Sequence, residues 1–185
     1  MEQVRPAKTE VIMAGLGGMG VLVAGQVLSC AALSSYEYVS WAPSYAVARR
    51  GGLCECTVVL SEEEIASPIL DQAQAVLVFD GSQFKFFEPR VRSGGVMIVE
   101  KAGLKEEKER EDITLLPVAG LEIAMALGTS MVNNLILLGV YTAVSKAIAA
   151  ELIEAELDSR YGGKRDVIEV NKEAFRRGLE LAKTL

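Results

Sequence analysis

The chain has no histidine in its 185 residues. That absence removes the commonest general base, the Ser-His and Cys-His nucleophilic pairs, and the most frequent zinc ligand. Cysteine is also scarce, with only Cys30, Cys54 and Cys56. An odd number argues against a disulfide framework and for a reducing compartment. An iron–sulfur cluster normally takes about four thiolates, so this chain is not expected to hold one alone. Cys54-x-Cys56 alternating with Val58 reads instead as one side of a buried strand. No apolar stretch reaches the roughly eighteen residues that span a bilayer without a glycine or polar interruption. The start, Met-Glu-Gln-Val-Arg-Pro, lacks the apolar middle of a signal peptide, so a cytoplasmic location is expected. Positive charge is in deficit, and a net charge of −6 gives no electrostatic basis for binding nucleic acid or an anionic membrane.

Half of the residues are hydrophobic, few of them aromatic, and the length suits one domain with a substantial core. No internal repeat and no Pro- or Ser-rich linker divides residues 1–185. Strand-like and helix-like segments alternate, which predicts a Rossmann-like three-layer α/β/α fold with a mainly parallel sheet. Expected strands are Val11–Ala14, Tyr36–Trp41, Leu53–Leu60, Ala75–Phe79, Val96–Val99 and Ile113–Leu116. Expected helices are Val21–Leu33, a short one at Ser61–Glu64 ended by Pro68, Leu121–Leu127, Met131–Ala149, Glu151–Leu157 and Val170–Lys183. The Met131–Ala149 helix is nearly all apolar and therefore internal, and Gly139 within it permits close packing. The charge run Lys101–Asp112 reads as a solvated hairpin or loop.

Gly15, Gly17 and Gly20 have the G-x-G-x-x-G spacing of a dinucleotide-binding turn between a strand and a helix. Such a turn brings backbone N–H groups at a helix start close to an anion. A NAD site also needs an acid about twenty residues on, at the end of the second strand. That strand ends in Ser40, Trp41 and Ala42, while Glu37 lies at its beginning. The turn therefore predicts fold more firmly than ligand. The segment Ala42–Gly52 should emerge beside it at the carboxyl edge of the sheet. There Ser44 and Tyr45 offer hydroxyls, Arg49 and Arg50 offer bidentate anion contacts, and Gly51-Gly52 let the backbone approach. An anion between the arginines and Gly18 to Gly20, and an arginine pair bridging a neighbouring carboxylate, are equally compatible with the spacing. Asp80-Gly81-Ser82 with Asn133-Asn134 has the residue types of a Mg²⁺–thiamine element. Phe79 replaces its leading glycine and the asparagines lie too far on, so Asp80 reads as a strand-end turn and Asn133 as a helix start.

Taken in order, Gly15-x-Gly-Gly-x-Gly20, Pro43-Ser-Tyr45, Arg50-Gly-Gly52, the strand ending at Ser61 and Ile65-x-Ser-Pro68 form a specific pattern. It continues with Phe79-Asp80, Asn134-x-x-x-Leu138-Gly139 and Asn171-x-x-Ala-Phe-x-x-Gly178. Together these motifs resemble the gamma subunit of 2-oxoacid:ferredoxin oxidoreductases across nearly the whole chain, most closely the 2-oxoglutarate type. The resemblance implies a subunit that is not itself catalytic. The complex would convert a 2-oxoacid and coenzyme A to acyl-CoA and CO₂ while reducing ferredoxin. Thiamine diphosphate, Mg²⁺ and [4Fe-4S] clusters would be held by alpha and beta subunits, and by a delta subunit where one exists. The active-site edge implied for this chain is Gly17, Gly18, Gly20, Ser44, Tyr45, Arg50, Gly51 and Gly52, with no cofactor or metal of its own. Family members usually carry Ser-Tyr-Gly-x-Glu-x-Arg-Gly-Gly, whereas Ala46 and Ala48 stand here in place of the Gly and Glu. The alanine removes a carboxylate acceptor beside the arginines, and Ala48 cannot inherit its role. An isolated chain would expose apolar surface that permits homodimers. The alternative is a stand-alone Rossmann-like module that binds or senses a nucleotide.

Overall fold

The apolar run Val11–Ala14 is the fully buried centre of strand β1 (Lys8–Leu16) in a computed structural model that describes residues 5–45 and 52–185. Helix α1 (Val21–Ala32), β2 (Tyr38–Tyr45), β3 (Leu53–Ser61) and β4 (Ala73–Val78) follow. The short helix α2 (Phe84–Phe87), flanked by 3-10 turns, leads into β5 (Val91–Glu100) and β6 (Thr114–Val118). Four helices complete the chain: α3 (Gly120–Ala126), α4 (Asn133–Ser145), α5 (Ala150–Arg160) and α6 (Arg165–Leu181).

The strands form one sheet in the order β2-β3-β1-β4-β5-β6. Pairings β1–β4, β4–β5 and β5–β6 are parallel, and β3 runs against both of its neighbours. The sheet is thus mainly parallel, with one reversed strand inserted beside β1. Alternation along β1 sends Val11 and Met13 to one face and Ile12 and Ala14 to the other. The first face is covered by α1 and α4, with α5 and α6 packed onto those helices. The opposite layer is thinner, with Phe84 and Phe87 of α2, Leu70 and Ile113 covering the strands. Cys54, Cys56, Val58 and Leu60 share the helical face, as the C-x-C alternation predicts.

Several boundaries depart from expectation for local reasons. Strand β2 continues through Ala42, Pro43 and Ser44 to Tyr45, because the antiparallel ladder with β3 extends to the pair Tyr45–Cys54. No helix forms at Ser61–Glu64; the Ser61 hydroxyl caps a bend by accepting the Glu63 N–H at 3.0 Å. β5 begins five residues before Val96 and carries Gly94-Gly95 within it. Pro117 lies inside β6, which its edge position permits. The 101–112 charge run is a loop, but one anchored on buried Glu88, which accepts the N–H groups of Glu109 (2.8 Å) and Arg110 (3.2 Å).

Residues 133–142 of α4 are all buried between the sheet and α6. A Cβ on Gly139 would stand 2.2 Å from the Phe175 carbonyl oxygen, and one on Gly178 would stand 2.1 Å from that of Ile136. The two helices therefore meet backbone to backbone. Replacing Gly139 by Ala should cost about 3 kcal/mol despite the better helix propensity of alanine, because the collision is with backbone. Gly162→Ala, whose Cβ would meet nothing closer than 3.5 Å, serves as control and should shift stability by less than about 1 kcal/mol in urea unfolding.

Thiol chemistry gives a second check. Cys30 is exposed, whereas Cys54 and Cys56 are buried, and burial pushes the Cys56 thiol up to about 12. Labelling of the native chain with iodoacetamide at mildly alkaline pH should modify Cys30 and spare the other two. Rapid modification of Cys56 without denaturant would contradict this packing.

Candidate functional site

In an open α/β sheet a ligand crevice forms where the connections from two neighbouring strands leave in opposite directions. β1 and β4 are such neighbours. The chain leaves β1 through α1 on the helical face towards β2, and leaves β4 through α2 on the other face towards β5. At this switch point lies a cavity of about 510 Å³. Gly18 and Met19 form its wall after β1, Phe79 and Asp80 after β4, and Glu100 at the end of β5. Leu121, Met131 and Asn133 close it from the helical side.

The glycine turn is built for a particular backbone shape. Gly20 caps α1 at φ 75° and ψ 19°, in the left-handed region. A Cβ there would also lie 2.5 Å from the Asn134 side-chain nitrogen. That nitrogen donates to the Gly20 carbonyl at 3.0 Å, so the start of α4 clamps the start of α1. The Gly17 N–H donates to the Gly52 carbonyl at 2.9 Å, which joins the turn to the far end of the Arg-Gly-Gly loop. The N–H groups of Gly18 and Gly20 have no hydrogen-bond partner among the described residues. With the positive end of α1 they form a donor surface suited to an anion.

The structure brings Gly17, Gly18, Gly20 and Gly52 together. Ser44 and Tyr45 end β2, with Tyr45 level with Cys54 and Cys54 level with Gly15 across the intervening β3. Two strand spacings, roughly 10 Å, therefore separate the end of β2 from the turn. Arg49, Arg50 and Gly51, with Ala46 and Ala48, lie outside the described residues. The inserted strand adds a second reason against a NAD ribose site, since even an acid at the end of β2 would stand one strand too far away.

Asp80 and Asn133 were read from the sequence as a turn residue and a helix start, and they occupy those positions. The Asp80 carboxylate accepts from the Ser82 N–H (2.9 Å) and hydroxyl (2.7 Å), and Asn133 opens α4. Sequence reasoning did not foresee that both line the same cavity as Gly18. Glu100 was also missed. It is buried, one carboxylate oxygen accepting the Ala102 N–H and the other the Leu121 N–H, each at 2.9 Å. Its only sequence signal was a lone acid ending an apolar strand. The Asn133 side-chain oxygen is buried without a hydrogen-bond partner among the described residues. The cavity thus pairs a donor-rich turn with a wall carrying carboxylate and amide oxygens, a chemistry suited to an anionic group at one end and hydroxyl or amine donors at the other.

The family model described as pyruvate ferredoxin/flavodoxin oxidoreductase matches residues 10–181, from β1 to the end of α6. The ketoisovalerate oxidoreductase subunit VorA of Methanothermobacter marburgensis is 32% identical over 95% of this chain. The chain spans only 37% of the length of that relative. The 2-oxoglutarate synthase subunit KorC of Methanocaldococcus jannaschii is 29% identical over 96% of both chains. A solved structure of the 2-oxoglutarate:ferredoxin oxidoreductase from Magnetococcus marinus, with 2-oxoglutarate, coenzyme A and succinyl-CoA bound, has the same fold. It superposes with a TM-score of 0.89 at 20% identity, covering 98% of this chain and 32% of that one. With the match running through every strand and helix of the sheet and its layers, this chain belongs to the pyruvate ferredoxin/flavodoxin oxidoreductase family.

Proposed function

We propose that the chain is the gamma-type subunit of a 2-oxoacid:ferredoxin oxidoreductase whose 2-oxoacid is 2-oxoglutarate. The complex would take the 2-oxoacid, coenzyme A and oxidised ferredoxin to acyl-CoA, CO₂ and reduced ferredoxin. The observation that carries this reading is the match, over 96% of each chain, with a 2-oxoglutarate synthase subunit. Thiamine diphosphate, held with Mg²⁺ on the alpha and beta subunits, supplies the decarboxylation chemistry, and [4Fe-4S] clusters outside this chain carry electrons to ferredoxin. The absence of histidine and of a fourth thiol supports that division of labour.

The contribution of this chain is an interface and an anion contact. The free N–H groups of Gly18 and Gly20 suit a phosphate of coenzyme A. Asp80, across the same cavity, offers an acceptor for a hydroxyl or amine of the nucleotide end. By the family pattern in the sequence, Ser44, Tyr45, Arg50, Gly51 and Gly52 would add to this edge, with the Arg50 guanidinium as a second anion contact. The exposed methionines Met19 and Met131 at the cavity, and Met125 nearby, give a deformable apolar rim for a partner subunit. A second reading, a stand-alone nucleotide-binding module, draws on the same open N–H groups.

Two experiments separate these readings. Co-expression with the alpha and beta subunits should yield a complex from which this chain does not dissociate on gel filtration. Partners that assemble an active enzyme without it would sink the first reading. A thermal shift of the lone chain with ATP or NAD, alongside failure to assemble, would favour the second. Within the complex, Arg50→Ala should raise the KM for coenzyme A about tenfold, the scale of one charge-assisted hydrogen bond, and leave the melting temperature of the chain unchanged. Unaltered kinetics at matched subunit occupancy would remove Arg50 from the site.

A further inference from the structure

Strand β5 does not follow β4 residue for residue. Ala73 pairs with Val91 but Ala75 pairs with Val96, so Arg92 to Gly95 bulge out of the ladder. Gly94 holds φ at 75°, and its N–H donates to the Asp112 carbonyl at 2.8 Å, which fixes the bulge against the anchored charge loop. Bulges of this kind re-aim side chains and concentrate beside binding sites. This one opens a cavity of about 430 Å³ at the amino-terminal edge of the parallel strands, the opposite edge from the glycine turn.

The chemistry of this cavity is specific. Ala75, Val96 and Val144 supply an apolar wall, and Thr9, Ser93 and Thr114 place polar groups around it. Lys8 and Arg92 stand at its rim, and both pair with Glu10, Lys8 at 2.7 Å. Burial pushes the Glu10 carboxyl up, but hydrogen bonds from Lys8 and Arg92 outweigh it and hold the group below its ordinary value. Among the described residues, two cations therefore pair with one carboxylate, which leaves one positive charge over. The neighbouring Arg110 and Asp112 pair with each other and add no net charge. Tyr141 completes the wall; it is fully buried, and its hydroxyl has no hydrogen-bond partner in the described residues. Burial pushes this phenol up, so it remains a donor at neutral pH, with Ser145 nearby opposing the shift.

We propose that this cavity is a second ligand site, distinct from the switch-point cavity, and that it takes a small organic monocarboxylate carrying an oxo or hydroxyl group. Arg92 and Lys8 receive the carboxylate, Ala75, Val96 and Val144 pack against a short aliphatic body, and the Tyr141 hydroxyl donates to the additional oxygen. The volume lies within the range of small-molecule pockets, with few polar groups set in a mainly apolar lining. The site does not depend on the oxidoreductase reading, because its residues lie at the other edge of the sheet.

The test uses the 185-residue chain, alone and within the co-expressed complex, with three probes: 4-methyl-2-oxopentanoate, 4-methylpentanoate and the uncharged 4-methylpentanamide. Calorimetry and ligand-observed NMR should show millimolar or tighter binding of both acids, with the amide about tenfold weaker. Val144→Trp fills the mouth from a residue that is 40% exposed, so it should abolish binding without lowering the melting temperature. Tyr141→Phe should weaken the oxo acid several-fold more than the plain acid. No binding of either acid, binding that survives Val144→Trp, or equal competition by inorganic phosphate would each overturn the assignment.

Discussion

The backbone contact of Gly139 with Gly178 is the constraint on which the rest of the molecule depends. Helices that pack through side chains keep their axes about 8–10 Å apart. Here the facing Cβ positions are empty, so α6 settles directly onto α4 and presses it against the sheet. That burial fixes both ends of α4. At its start, Asn134 holds the Gly20 carbonyl, and Asn133 borders the switch-point cavity. At its end, Tyr141, Val144 and Ser145 wall the bulge cavity. A helix of 13 residues is roughly 20 Å long, so one rigid element sets the geometry of both edges of the sheet. Loosening its middle would disturb the two cavities together.

The reversed strand β3 has the next largest consequence. In a dinucleotide-binding fold the second parallel strand lies beside the first, which brings its terminal acid to the ribose. Inserting β3 displaces β2 outward and brings Gly52, just before β3, against the turn. The Gly52 carbonyl then takes the Gly17 N–H, so one donor of the turn is satisfied internally, while those of Gly18 and Gly20 have no partner among the described residues. The same glycine spacing therefore serves as a joint between β1, α1 and the start of β3.

Much of this was legible in residue order, and the exceptions have physical reasons. Continuous apolar runs marked β1 and β4, and the nearly all-apolar stretch after Met131 marked α4, because complete burial leaves no other composition. Gly139 was legible as a close-packing position, but its partner Gly178 was visible only as part of a family motif. The reversal of β3 left no local trace, since a strand buried on both faces has the same composition in either direction. Ser61 to Glu64 has the cap and acids of a helix start, yet lacks an apolar stripe to bury, and its hydroxyl closes a bend. The bulge at Arg92 to Gly95 appeared as a glycine pair opening a strand. Its consequence, a cavity, depends on the partner register, which no single segment contains. Gly52 comes to Gly17 through a backbone hydrogen bond, while Asp80, Glu100 and Asn133 meet only through strand order.

The buried acids among the described residues serve the fold. Three glutamates are almost fully enclosed, and each is already committed. Glu10 is shared by Lys8 and Arg92, Glu88 holds the N–H groups of Glu109 and Arg110 together with Lys85, and Glu100 holds those of Ala102 and Leu121. Burial raises the carboxyls of Glu10 and Glu88, but their donors bring both below the ordinary value. A general base near neutrality needs the opposite shift. To pick up a proton, either group would have to release a loop or a strand edge, coupling proton transfer to local unfolding. Enclosed carboxylates of this kind act as pins for backbone N–H groups and cationic side chains. Their placement suits a domain whose value lies in holding its two edges in fixed shape.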